Sequence, residues 1–131
     1  MATGARRVRQ RPEELLHRAC VDFLRLAMPP PPDGAVWWHT PNQRGTRAKY
    51  EAAILKALGV RAGIPDLLFL HKGRLLAVEL KAPGGGSLTE RQRETQELLE
   101  QAGAIVLSEC RSVDELAHWL TSHRVPLKAM P

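Results

Sequence analysis

An α/β fold, a central sheet with helices on both faces, is predicted by three observations. Helical and strand-like segments alternate in the order helix, strand, helix, hairpin, helix, strand, helix. The apolar runs at 66–70 and 74–80 have strand length and nearly continuous hydrophobicity, the pattern of strands buried on both faces. The chain has 131 residues, 44% hydrophobic and 25% charged, enough for one core to form without a disulfide or a structural metal.

The elements follow from local chemistry. Arg6, Arg7, Arg9 and Arg11 form a basic arm (1–12) ending at Pro12, a residue tolerated in the first turn of a helix. Leu15, Leu16, Ala19, Cys20, Phe23, Leu24 and Ala27 then recur at helical spacing until the proline run 29–32, a stiff connector too short to divide domains. Residues 35–39 read as a short strand containing Trp37 and Trp38, and 40–45 as turn chemistry. Residues 48–58 form a second helix with Gly59 placed to cap it. His71-Lys72-Gly73 joins the two apolar runs as a hairpin turn. Residues 83–87 are a flexible loop, and 88–102 a helix capped by Ser87 or Thr89. A buried strand at 104–107 and a helix at 113–121 complete a single domain, 13–122, with a fraying tail at 123–131.

Charge and cysteine content narrow the setting. Nineteen Lys and Arg oppose fourteen Asp and Glu, a formal +5, which favours a polyanionic partner. Cys20 and Cys110 sit in no zinc-like or redox spacing and read as small buried hydrophobes in a reducing compartment. No run has the length of a membrane span, and no apolar stretch follows the basic start as in a signal peptide. The expected location is therefore cytoplasmic, with no membrane partner and no organic cofactor.

The chemistry concentrates in Ile64-Pro65-Asp66 and Glu79-Leu80-Lys81. With Lys72-Gly73 as a two-residue turn, Asp66 falls directly opposite Glu79. Opposed β-carbons lie about 5 Å apart, and two negative charges at that distance repel by about 3 kcal/mol at an effective dielectric near 20. A divalent cation offsets such repulsion, because Mg²⁺ is held by one or two carboxylates together with substrate phosphate. Lys81, two residues beyond Glu79, shares its strand face. Singly, an Asp after Pro is a common turn residue and Glu-x-Lys a common strand edge; the hairpin register joins them.

These residues belong to a longer ordered set. It comprises Glu13-x-x-Leu16; His39-Thr40-Pro41-Asn42 with Arg47; Lys56-x-x-Gly59-Val60-x-Ala62-Gly63-Ile64-Pro65-Asp66-Leu67; Glu79-Leu80-Lys81; and Leu88-Thr89-x-x-Gln92, ending at Gly103. From about Glu13 to Trp119 the sequence resembles the VRR-NUC domain, a branch of the PD-(D/E)xK nuclease superfamily. The resemblance implies a restriction-endonuclease-like core, a mixed central sheet flanked by helices, and phosphodiester cleavage dependent on Mg²⁺ or Mn²⁺. It assigns Asp66, Glu79 and the Leu80 carbonyl to the metal, and Lys81 to the attacking water and the scissile phosphate. Glu13 completes the acidic cluster, with Glu14 as its neighbour and alternative. Gln92 contacts the water or phosphate, with Gln96, one turn later, as the alternative.

His39, Asn42, Arg44, Arg47, Lys49 and Arg61 are the candidate phosphate contacts, since placing a duplex across a site takes several cations. Trp37, Trp38 and Trp119 are assigned to core or dimer contacts rather than to base stacking. Stand-alone members of the family are similar to junction-resolving enzymes of bacteria and phage. The function implied is thus a structure-selective DNA endonuclease acting on branched DNA as a homodimer. Competing readings are a flap or general duplex nuclease, a DNA-binding module without catalysis, and a metal-independent RNA nuclease using His39, His71 and Lys81.

Overall fold

The computed structural model describes residues 12–41 and 48–131, the side chains of 48–50 excepted. Residues 1–11 of the basic arm, Asn42, Arg44, Arg47 and the Lys49 side chain therefore lie outside the described residues. Those described form α1 (Pro12–Ala27), β1 (Val36–His39), α2 (Ala48–Ala57), β2 (Leu67–His71), β3 (Arg74–Leu80), α3 (Glu90–Gln101), β4 (Ile105–Cys110) and α4 (Val113–Ser122). None of these helices is long and apolar enough to cross a membrane.

The strands form one mixed sheet in the order β1-β2-β3-β4. The pairs β1–β2 and β2–β3 are antiparallel and β3–β4 is parallel. The central hairpin turns on Lys72 and Gly73, at φ 49° and 80°, the two left-handed positions that a two-residue type I′ turn requires. Leu67 pairs with Val78 and His71 with Arg74. Continued one step beyond β2, this register sets Asp66 opposite Glu79.

Alternation along the strands divides the molecule into two faces. Leu67, Phe69, Leu76, Val78, Leu80 and Cys110 point to one face and form the core with Leu16, Cys20 and Leu24 of α1 and Leu116 and Leu120 of α4. The buried residues of α1, namely Leu16, Cys20, Leu24 and Ala27, follow the three-to-four-residue period, while Leu15 stays half exposed. Both cysteines are free and buried there; burial pushes the Cys20 thiol up to about 12 and the Cys110 thiol to about 11. α3 covers the opposite face through polar contacts, with the buried Gln96 donating from Nε2 to the Ser108 carbonyl. Trp37 and Trp119 pack against the core, whereas Trp38 is exposed.

Three segments differ from the local reading. α3 starts later than expected, at Glu90, because Thr89 rather than Ser87 caps it: Thr89 Oγ1 accepts from Gln92 N and the Gln92 side chain accepts from Thr89 N. The glycine loop at 84–86 is tied down by Arg111, whose guanidinium donates to the Ala82 carbonyl at 2.7 Å and to the Gly86 carbonyl at 3.0 Å. The tail packs back through its first part, since Val125 is fully buried in the core and Lys128 N donates to the Ala27 carbonyl, while 128–131 are exposed. Arg124 at φ 65° and the bond from Val125 N to the Leu120 carbonyl turn the chain back after α4.

Candidate active site

Asp66, Glu79 and Lys81 gather where β2 begins and β3 ends. All three are buried, at 7%, 2% and 8% exposure, so the site withdraws both signs of charge from water. Asp66 Oδ2 accepts from the Leu80 backbone N–H at 2.9 Å, which clips the carboxylate across the hairpin. Glu13, one residue into α1, brings a third carboxylate: one oxygen each from Glu13, Asp66 and Glu79 lies within 4.8 Å of the others. Glu14 instead pairs with Arg18 at the surface, 3.2 Å away.

The β3–β4 pairing shifts register at this point. Val78 pairs with Leu107 but Leu80 with Cys110, so β4 carries one more residue than β3 opposite Glu79. Such a bulge bends the ladder and re-aims nearby side chains. Nothing in the composition of 105–110 announces it.

Gln92 binds the site together. Lys81 Nζ donates to Gln92 Oε1 at 3.0 Å, and Gln92 Nε2 donates to Glu79 Oε2 at 3.0 Å. The same Oε1 accepts from Thr89 N, so the capping box that starts α3 also fixes the lysine and the glutamate relative to each other. Gln92 thus lies between two site residues as a positioning group, and Gln96 is turned away toward β4. Leu80 sends its side chain into the core, and its N–H serves Asp66.

Electrostatics in the cluster are unbalanced. Burial, then the neighbouring Asp66 carboxylate, push the Glu79 carboxyl up to about 9, with Lys81 opposing. A buried carboxyl next to two others is costly to ionise unless a cation joins it. The donor set, three carboxylate oxygens with no thiolate, fits a hard divalent ion such as Mg²⁺ or Mn²⁺.

Two histidines complete the neighbourhood. His39 Nδ1 donates to the Asp66 carbonyl at 2.8 Å, placing this expected phosphate contact beside the carboxylates. His17 was not singled out from the sequence, yet its ring meets that of His39 edge-on, with centroids 4.2 Å apart. Burial and His39 hold the His17 imidazole below its ordinary value. The signal for it was its spacing, four residues after Glu13 on α1 and so on the same helix face.

By contrast, His71 lies at the far end of β2, about 17 Å along the strand by its rise per residue. Its Nε2 donates to the Asp33 carbonyl and its Nδ1 accepts from Arg74. A catalytic set of His39, His71 and Lys81 is therefore not assembled.

Arg61 is exposed and lines an open groove of about 600 Å³ beside the site, with Thr40, Lys56, Gly63, Arg91 and Thr95. α2 buries none of its described side chains and flanks this groove. Gly63 lets the wall close: it sits at φ +80°, and a β-carbon there would meet Thr95 Oγ1 at 2.8 Å and the Arg91 carbonyl at 2.9 Å. Gly63→Ala is expected to cost about 1–3 kcal/mol through overpacking, seen as a lower denaturation midpoint in urea.

No family model matches this sequence, and no curated protein is found to be similar to it. Among solved structures the fold is similar to that of a protein described as a VRR_NUC domain protein. The TM-score is 0.61, with 19% identity, over 88% of this chain and 89% of that one. The chain thus shares the α/β fold of that protein, a mixed sheet flanked by helices, in keeping with the fold that the sequence resemblance implied.

Proposed function

We propose that the protein is a divalent-metal-dependent DNA endonuclease that hydrolyses phosphodiester bonds in branched DNA and acts as a homodimer. The observation that carries this reading is the convergence of Glu13, Asp66 and Glu79 around a buried lysine held by Gln92. The likeness in fold to a VRR_NUC domain protein supports it. A chain that only bound DNA would gain nothing from opposed, buried acids beside a phosphate, since they repel the ligand and disfavour their own burial.

In this reading Asp66, Glu79 and the Leu80 carbonyl hold Mg²⁺ or Mn²⁺, and Glu13 completes the cluster directly or through water. An ion held there would supply Lewis acidity for the activation of water and for the charge on the phosphate. Lys81 Nζ, oriented by Gln92, donates to a non-bridging phosphate oxygen or positions the attacking water. The water oxygen forms a new bond to phosphorus, the bond from phosphorus to one sugar oxygen breaks, and the proton that water gives up ends on that leaving oxygen. His39, Arg61 and Lys56 offer contacts to the flanking backbone, together with Asn42, Arg44, Arg47 and Lys49. A small basic surface reads helix geometry rather than base sequence, which favours branched substrates in the cytoplasm of a bacterium or phage-infected cell.

An apolar patch supports the two-chain arrangement. Val36, Trp38 and Leu70 are 53%, 41% and 49% exposed, and the β1–β2 register puts them on one face. Contiguous exposed apolar residues of this kind mark interaction surfaces.

Labelled four-way junction, flap, splayed-arm, linear duplex and single-stranded DNA, incubated with Mg²⁺, Mn²⁺ or chelator, test the proposal. Paired symmetric nicks on the junction, lost in chelator, are expected, with a light-scattering mass of two chains. Cutting of flaps or plain duplex alone would transfer the activity to another substrate. Binding without cleavage under either metal would overturn the nuclease reading.

A further inference from the structure

We propose that His17, His39 and Asp66 form a second cation subsite, suited to a transition ion such as Zn²⁺ or Co²⁺ rather than Mg²⁺. One ligand atom from each of the three lies within 4.8 Å of the others. This set shares only Asp66 with the oxygen cluster of Glu13, Asp66 and Glu79, and it needs no DNA.

The elements that build it are rigid. His17 projects from the second turn of α1, and His39 is the last residue of β1. Asp66 immediately precedes β2 and is pinned by the Leu80 N–H. The imidazoles meet at 86° with centroids 4.2 Å apart, so each ring limits the other's rotation.

A second observation points the same way. A carbonyl oxygen only accepts, so the 2.8 Å contact with the Asp66 carbonyl places a proton on His39 Nδ1 and leaves Nε2 as the ring nitrogen available to an ion. Metal-binding histidines characteristically donate their other ring N–H to a carbonyl or carboxylate, which sets the tautomer and the ring plane. His39 has that partner already, and the ring is exposed enough for an ion to reach it. Asp66 further offers its carboxylate from a buried position.

Donor chemistry selects the ion. Two imidazole nitrogens and one carboxylate oxygen match the preference of Zn²⁺, Co²⁺ and their neighbours, whereas Mg²⁺ takes oxygen ligands and keeps its waters. Remaining positions would be filled by water. The acidic side chain of Glu13 stands close by and favours cation entry.

Titration of the full chain with Co²⁺, without DNA, tests the site by visible absorption and proton NMR. Coordination by both rings predicts visible bands and two paramagnetically shifted ring N–H signals. His17→Ala and His39→Ala should each remove a shifted signal and weaken Co²⁺ binding at least about tenfold. Mg²⁺ affinity, read by calorimetry, should change less than about threefold. His39→Asn, which keeps a donor for the Asp66 carbonyl, serves if His39→Ala melts early. Unshifted ring protons, or unchanged Co²⁺ binding in folded His17 and His39 variants, would overturn the subsite. A chain that binds Co²⁺ through both rings but cuts no DNA would overturn only the proposed function. One that cuts DNA yet binds Co²⁺ equally after both substitutions would overturn only the subsite.

Discussion

Asp66→Asn is expected to lower the single-turnover cleavage rate at saturating Mg²⁺ by about a thousandfold or more, with the fold retained. Asparagine keeps an oxygen that can accept from the Leu80 N–H, the bond that now holds Oδ2 at 2.9 Å. What it removes is a charge shared by the acidic cluster and by the pair of imidazoles. A thousandfold loss corresponds to about 4 kcal/mol of transition-state stabilisation, in keeping with the metal-holding role proposed for Asp66. Lys81→Ala should give a loss of similar order through a different route, since it takes the donor Nζ away from Gln92 and, in the proposed reaction, from the phosphate, while leaving the carboxylates in place. Cleavage rates beside thermal melts check both. An Asp66→Asn protein that is folded and cuts within tenfold of the parent would remove Asp66 from the metal.

The second large effect is on stability. In metal-free protein the Glu79 carboxyl is raised from 4.5 to about 9, chiefly by burial and then by Asp66. Between those values the folded chain holds a proton that the unfolded chain releases, so stability falls as pH rises. The slope reaches about 1.4 kcal/mol per pH unit if one full proton is involved. Glu79→Gln cannot ionise; it should flatten this slope and make the metal-free protein more stable than the parent at pH 8, while losing cleavage. Mg²⁺ acts in the opposite sense: it displaces the proton, so its affinity should climb through the same window. Urea unfolding at pH 6, 7 and 8, in chelator and in Mg²⁺, reads all three. Parallel curves for Glu79→Gln and the parent in chelator would show that Glu79 is ionised without metal.

These two residues were legible because their relation is local. A two-residue turn at Lys72-Gly73 sets the register of the hairpin, and the register alone opposes Asp66 to Glu79. The helix period likewise placed Leu16, Cys20 and Leu24 in the core, and Glu13 on a helix of its own. The same periodic logic could not rank Gln92 against Gln96, which share a helix face and differ only in what faces them. Gln92 meets Lys81 and Glu79, whereas Gln96 meets the Ser108 carbonyl.

The sequence by itself determined the order of elements, the hairpin register and the opposed acids, because turn chemistry and side-chain periodicity act over a few neighbouring residues. Only the tertiary structure decided which distant groups share the site. The docking of α1 against the sheet brings Glu13 and His17 to Asp66, and β1 brings His39. Arg111 ties the glycine loop, and Val125 enters the core. Each depends on how whole elements pack, where burial and unmet hydrogen-bonding groups outweigh local propensity.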